Sequence, residues 1–156
     1  MIPKIIHYCW FGGNPLPPLA LECIASWKKF LPDYEIKEWN EKNFDVNITP
    51  YTAEAYLQKK YAFVSDVARL IVIYEQGGIY MDTDVEVIKP LDDLLENKAY
   101  MSFENDEYIN SFDYLSTNID SVFKRFYDKR CFFLVKYLRD KEYIKELIIK
   151  EFNKRI

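Results

Sequence analysis

Between Lys4 and Trp39 the sequence runs from a short apolar stretch through helical periodicity to a second strand-like stretch, and few folds accept that order. Lys4 to Trp10 reads as a buried strand, ended by Gly12-Gly13-Asn14-Pro15. Pro17-Pro18 opens a helix in which Leu21, Ile24, Ala25 and Trp27 recur at helical spacing, up to about Phe30. After the Leu31-Pro32-Asp33 turn, Tyr34 to Trp39 alternates apolar and charged residues as a strand does. Strand, helix, strand is the pattern of a parallel pair joined by a crossover, so an α/β domain is expected.

Downstream, Asn43 to Pro50 reads as a loop and Tyr51 to Lys60 contains helix formers. A stronger helix is expected from Ser65, a plausible N-cap, to about Gln76, with Val67, Leu70, Ile71 and Tyr74 on its apolar face and Gly77-Gly78 ending it. Ile79 to Met81 is a short apolar strand, Asp82 to Asp84 its exit, and Val85 to Ile88 resumes strand character before Pro90. Ala99 to Phe103 is a further strand. From about Asn118 the text shifts to Lys, Arg and Phe/Tyr/Leu at helical spacing, with Tyr143, Leu147 and Phe152 on one face of the last segment. The expected organisation is one domain over residues 1–117 and a helical C-terminal extension, 118–156, packed on it.

At 156 residues the chain is long enough for one compact core. Its net charge is −4 with no basic block, which excludes nucleic acid as an expected partner, because phosphate binding needs clustered Lys and Arg. An acidic protein can still hold a diphosphate if a divalent cation lies between them. Cys9, Cys23 and Cys131 are widely spaced and odd in number, which fits a reducing compartment rather than a disulfide or zinc framework. No stretch reaches the ~18 apolar residues of a membrane span. The expectation is a cytoplasmic protein, compatible with peripheral contact at the inner face of a membrane.

Asp82 and Asp84 carry the chemistry. In extended backbone, side chains two apart point the same way, so both carboxylates can converge on a hard cation such as Mn2+ or Mg2+. The same triplet also describes two solvated turn acids, but here a helix stop, a two-glycine turn and an apolar strand deliver it to a strand end, where α/β proteins place their ligands. Asp66 and Arg69, three apart in the expected first helical turn, share one face. They read either as a capping acid with a surface ion pair, or as a carboxylate for a ribose or base with Arg69 ordering it or approaching phosphates. Trp10, at a strand end, is suited to stack on a nucleobase. His7, mid-strand, reads as a satisfied core residue rather than a base.

Taken together, Ile2-Pro3-Lys4-Ile5-Ile6-His7-Tyr8-Cys9-Trp10-Phe11-Gly12-Gly13, Tyr61-Ala62-Phe63-Val64-Ser65-Asp66-Val67-Ala68-Arg69 and Gly77-Gly78-Ile79-Tyr80-Met81-Asp82-Thr83-Asp84-Val85 resemble the DXD-containing glycosyltransferases of family 32. That family includes yeast outer-chain mannosyltransferases and bacterial capsule and exopolysaccharide enzymes, and similar motifs occur in glucosylating toxins. The resemblance covers roughly residues 1–105. It implies a GT-A-like, Rossmann-type nucleotide-sugar-binding fold and a metal-dependent, retaining hexosyltransferase. The implied donor is a UDP- or GDP-sugar, and the acceptor is a glycan or lipid-linked glycan in polysaccharide or capsule synthesis. By that likeness Trp10 would stack on the base, Phe11 and Gly12 would line its pocket, and Asp66 would contact the nucleoside. Arg69 would support the donor sugar or phosphates, and Tyr80 would lie near the base or ribose. Asp84 would serve Mn2+ or Mg2+ directly, and Asp82 partly through donor hydroxyls.

The likeness fades after Asn105, and no glycine follows Gly78. The chain is therefore expected to be a truncated form of the fold, with Glu104, Asp106 or Asn110 as candidates for a remaining ligand. Two other classes remain at this stage. One is a non-catalytic donor-binding or assembly partner of a full-length transferase. The other is a metal-dependent phosphate hydrolase, which would need further Asp or His ligands.

Overall fold

The computed structural model describes residues 1–97 and, as strands, Ala99–Phe103 and Cys131–Val135. In chain order the elements are β1 (Ile5–Cys9), α1 (Pro18–Phe30), β2 (Glu35–Trp39), α2 (Pro50–Leu57), α3 (Tyr61–Gln76), β3 (Ile79–Tyr80), a 3-10 turn (Asp92–Glu96), β4 (Ala99–Phe103) and β5 (Cys131–Val135). The sheet order is β2-β1-β3-β5-β4. β1 is parallel to both β2 and β3, while β5 runs antiparallel to β3 and β4. This is the α/β class expected from the sequence.

β1 is covered on both faces, and its alternation assigns its side chains to two cores. Ile6 and Tyr8, with Ile79 and Met81 of the β3 segment, pack against Ile24 and Trp27 of α1. Cys9 and Tyr80 belong to the opposite core, built on Val64, Val67, Ala68 and Ile71 of α3 with Phe11 and Phe44. The buried positions of α1 are Ala20, Cys23, Ile24 and Trp27, a regular i, i+3, i+4, i+7 stripe. Leu21 lies outside that stripe, at 53% exposed, and Ala25 is exposed too, so the expected face was rotated by about one position.

The first strand is joined to the third by a close backbone contact. Gly78 has φ +91°, and a β-carbon there would stand 2.6 Å from the Ile5 carbonyl oxygen. His7 closes the same junction. Its Nδ1 accepts from Trp39 Nε1 at 3.0 Å, which leaves Nε2 as the donor to the Gly77 carbonyl at 2.9 Å. The ring is fully buried, and its pKa is lowered to about 4, first by burial and then by Lys37, against the Gly77 hydrogen bond. A neutral, committed imidazole is what the sequence reading of His7 anticipated.

Four expectations need correction. Ser65 is not an N-cap: α3 starts at Tyr61, and the Ser65 hydroxyl donates back to the Tyr61 carbonyl at 3.1 Å. The apolar series Val64, Val67, Ala68, Ile71 carries the helix one turn earlier, and Lys59, at φ +58°, makes the reversal out of α2. Asp66 and Arg69 therefore sit inside the helix, not in its first turn. Asp82-Thr83-Asp84 is not extended, because Val85 N–H donates to the Asp82 carbonyl at 3.1 Å and closes a turn. Val85 to Ile88 is not a strand. Its backbone is pinned to α1 instead, with Trp27 Nε1 donating to the Val85 carbonyl at 2.7 Å and Val87 N–H donating to Ser26 Oγ at 2.9 Å. Finally, Cys131–Val135 is a strand and not helix. A Cys-Phe-Phe-Leu-Val run suits the slot between β3 and β4. The rest of 118–156 and the division at 117 lie outside the described residues.

Two outcomes follow from the β1–β3 junction. Gly78→Ala is expected to cost about 2–4 kcal/mol, because backbone rather than a flexible side chain blocks the new methyl; urea denaturation at neutral pH measures it. His7 binds a proton near 6.5 when unfolded but only near 4 when folded, so the unfolded state holds more protons between those values. The stability this junction contributes is complete above pH 6.5 and is lost as pH falls towards 4, by at most about 3 kcal/mol. His7→Gln keeps a donor and an acceptor without titrating, and its stability is expected to vary less across that window in parallel urea titrations.

Candidate functional site

All three mutually parallel strands end on the same edge of the sheet. β1 runs out into Trp10-Phe11-Gly12-Gly13, β2 into Asn40-Glu41, and β3 into Met81-Asp82. The chain departs from β1 to one side through α1 and returns to its other side through α3. That makes the edge a topological switch point, the place where open α/β sheets bind ligands. Backbone bonds hold the exits together: Trp10 N–H donates to the Trp39 carbonyl at 2.8 Å and Met81 N–H to the His7 carbonyl at 3.0 Å.

Arg69 is the hub of the charged part. Its side chain is 12% exposed, and its Nη2 donates to Asp66 Oδ1 at 2.6 Å. Nη1 lies 3.5 Å from Asp82 Oδ2, Nε donates to the Ser65 carbonyl at 3.3 Å, and the guanidinium stands 4.9 Å from the Tyr80 ring centroid. Burial works against its charge, but Tyr80, Asp82 and Asp66 more than reverse that, and its pKa is raised. Tyr80 OH donates to Asp82 Oδ1 at 3.0 Å. The Tyr80 phenol is raised well above its usual pKa, first by burial and then by Cys9, with Asp82 adding and Arg69 opposing. It therefore stays protonated as a donor. Cys9, buried beside it, is pushed up to about 12, chiefly by burial, and is an unreactive thiol.

Both oxygens of Asp82 are thus aimed by Tyr80 and Arg69, while the side chain stays 49% exposed. Asp84 has other neighbours. It is exposed, makes no hydrogen bond among the described residues, and its field reaches Cys23 of α1, whose thiol is raised by burial first and then by Glu86 and Asp84. The two carboxylates share one turn, the first held from α3 by Arg69 and the second exposed beside a chain exit that is pinned to α1 at Val85. Among the described residues no three His, Cys, Asp or Glu side chains are gathered as a closed metal cage. A hard cation of the Mg2+ or Mn2+ type does not require one, since it binds through one or two carboxylates and completes its shell with phosphates and water.

The site residues expected from sequence gather at this edge with differing freedom. Trp10 is half-buried at the α1 side, its Nε1 donating to the Asn14 carbonyl at 2.7 Å. Phe11 is buried and packs edge-on against Phe44, so its ring is a core group. Gly12 has φ +96° and is held by the Glu41 carboxylate, which accepts its N–H. Tyr80 is buried and acts through Asp82, and Arg69 is committed to the two acids beside it. Glu104, Asp106 and Asn110 lie outside the described residues. Sequence reasoning missed Glu41 altogether and missed that Trp27 and Ser26 anchor the exit of the carboxylate turn. Only the apolar spacing of Trp27 was legible.

Comparison with known proteins gives one family match, over residues 17–101, described as glycosyltransferase sugar-binding region containing DXD motif. Inositol phosphoceramide mannosyltransferase 3 of Schizosaccharomyces pombe is 34% identical over 104 residues, covering 64% of this chain and 29% of that protein. Initiation-specific alpha-1,6-mannosyltransferase of Candida albicans is 29% identical over 105 residues, covering 61% of this chain and 27% of that one. The chain thus spans less than a third of the length of these curated relatives. A solved PaToxG glycosyltransferase covers 58% of this chain and 45% of its own at 26% identity, with a TM-score of 0.48, too partial to bear on shape.

Removing the hub leaves two carboxylates without their shared cation. Arg69→Ala is expected to destabilise the fold by about 1–3 kcal/mol, a range that allows for the half-exposed acids. Arg69→Lys should recover only part of it, because one ammonium cannot fork between Asp66, Asp82 and the Ser65 carbonyl. Thermal melts of the three proteins check the order.

Proposed function

Because this chain belongs to the family of glycosyltransferase sugar-binding regions containing the DXD motif, we propose that it moves a sugar from a nucleotide-sugar donor to a glycan acceptor. The observation that carries this reading is the carboxylate turn at the end of β3, with Asp82 aimed by Tyr80 and Arg69 and Asp84 exposed two residues on. Oxygen donors on one turn fit Mn2+ or Mg2+, held by Asp84 with Asp82 assisting through a donor hydroxyl. When bound, such a cation offsets negative charge on the departing diphosphate.

The remaining roles belong to side chains of this chain. Trp10, at the end of β1, offers a half-buried aromatic face to the base. Asp66 accepts from the nucleoside while Arg69 fixes its direction. Asp82 enters the reaction already oriented, so donor hydroxyls meet an acceptor that needs no reorganisation. His7, the chain's single histidine, is buried, neutral and committed at both nitrogens, which leaves no imidazole base beside the turn. The family resemblance suggests a retaining transfer in which a phosphate oxygen of the leaving group takes the acceptor proton, and the lack of a free imidazole is no objection to it.

The names of the two mannosyltransferase relatives make a GDP- or UDP-linked mannose the first donor to try. A glycan or lipid-linked glycan of polysaccharide or capsule synthesis is the matching acceptor class. No described helix is long and apolar enough to cross a membrane. The free thiols of Cys9 and Cys23 agree with a reducing compartment, so the proposed place of action is the cytoplasm, compatible with peripheral contact at the inner face of a membrane.

The test is calorimetric binding and turnover with a panel of UDP- and GDP-sugars, with and without MnCl2. At least one donor should bind only with the metal, and Asp84→Ala should weaken that binding at least about tenfold. Binding without turnover would favour a donor-binding partner of a longer transferase. No donor binding in any condition, with Asp84→Ala indistinguishable from the parent, would contradict the reading.

A further inference from the structure

The turn that follows β1 is held from below by a side chain that no motif includes. Gly12 and Gly13 both have positive φ, +96° and +68°, so the turn is a specialised shape and not a default one. One side of Gly12 is closed by the Tyr61 ring, which would stand 2.3 Å from a β-carbon at that position. Tyr61 in turn is paired with Tyr56, ring centroids 5.6 Å apart. On the remaining side Glu41, just past β2, accepts the Gly12 N–H through Oε1. The Gly12 N–H and the nearby Tyr56 hydroxyl both favour the ionised Glu41 carboxylate, whose pKa is lowered against the effect of burial. A charged acceptor on a backbone amide is among the stronger hydrogen bonds a protein makes.

We propose that Glu41 is a positioning residue for nucleotide binding, holding the Gly12 amide and with it the Trp10–Gly13 turn in the shape that accepts the base. The inference rests on the reading of that turn as part of the donor pocket. Glu41 does not itself reach the donor: its Oε1 is spent on the turn, and its effect on affinity passes through Trp10 and Gly12. The two tyrosines make the arrangement one-sided. The Tyr61 ring fills the space beside Gly12, so Glu41 holds the turn against a wall that is already in place.

The experiment uses the full chain and three forms: unaltered, Glu41→Ala and Glu41→Gln. Binding of UDP and of GDP in the presence of MnCl2 is measured by calorimetry, and a thermal melt accompanies each protein. Glu41→Ala is expected to weaken nucleotide binding about tenfold and to lower the melting temperature by several degrees, leaving the chain folded at the assay temperature. Glu41→Gln, which keeps an acceptor oxygen, should restore most of the affinity. The Gly12 amide resonance is followed in parallel by 15N NMR from pH 3 to 7. It should titrate with the carboxylate in the unaltered chain and stay flat in Glu41→Gln. An unaltered chain that binds nucleotide, together with a folded Glu41→Ala that binds equally well, would overturn the proposal alone. A Gly12 resonance that ignores the titration would overturn it too, even if Glu41→Ala failed to fold. If neither nucleotide bound the unaltered chain, the donor-pocket reading would fall and this proposal with it.

Discussion

A backbone carbonyl on β1 passes so close to Gly78 that no side chain fits between them, and the rest of the molecule is arranged around that approach. It sets β3 against β1 at Ile6–Ile79 and His7–Tyr80, although β3 itself is only two residues long. So short a strand has little pairing energy of its own. Its position comes from the glycine, from the His7 bond to the Gly77 carbonyl, and from burial of Ile79 and Tyr80 on opposite faces. The imidazole also joins β2 through Trp39. One buried, uncharged ring on β1 thus ties Trp39 of β2 to Gly77 at the entry to β3, at the opposite end of β3 from the exit where the candidate site is built.

Alternation along β3 then decides what that edge can do. Tyr80 points to the α3 layer, where it meets Arg69 and turns back to Asp82. Met81 points to the α1 layer, and the chain beyond it is caught by Trp27 and Ser26. The turn Asp82-Thr83-Asp84 is held at both ends by different layers. Its first carboxylate is rigidly aimed and its second is left open to solvent. Under the proposed function, in which the site would orient a sugar and receive a cation from solution, that asymmetry divides the two tasks.

Much of the fold was legible because its signals were local. Pro17-Pro18, the Gly77-Gly78 stop, and the apolar runs of β1 and β4 each carry their own punctuation or periodicity. What could not be read depended on partners remote in sequence. Val85 to Val87 has strand composition, yet its backbone groups are claimed by Trp27 and Ser26, some sixty positions earlier. Ser65 looked like a cap because the apolar periodicity was counted from Val67, one turn too late. The α1 stripe was misplaced because Cys23 and Ala20 were not counted as core, while Leu21, which is exposed, was. Cys131–Val135 shows the same limit, since a lone apolar run does not reveal that a slot in a sheet awaits it. At the site, Asp66, Arg69, Tyr80 and Asp82 were found by motif, and their roles needed the geometry. Arg69 is an organiser of acids, Tyr80 a hydrogen-bond donor to Asp82, and Glu41 had no sequence signal at all.

A divalent cation and a nucleotide must meet at this edge if the chain is to hold a nucleotide-sugar donor there. Paramagnetic broadening tests that directly: substoichiometric Mn2+ is added to the 15N-labelled chain with UDP or GDP, and amide intensities are mapped. The expected result is selective loss at Asp82 to Val85 and at Trp10 to Gly13, with Leu31 to Asp33, beyond the far end of α1, left sharp. Broadening centred elsewhere, or uniform weak broadening unaffected by nucleotide, would contradict the account.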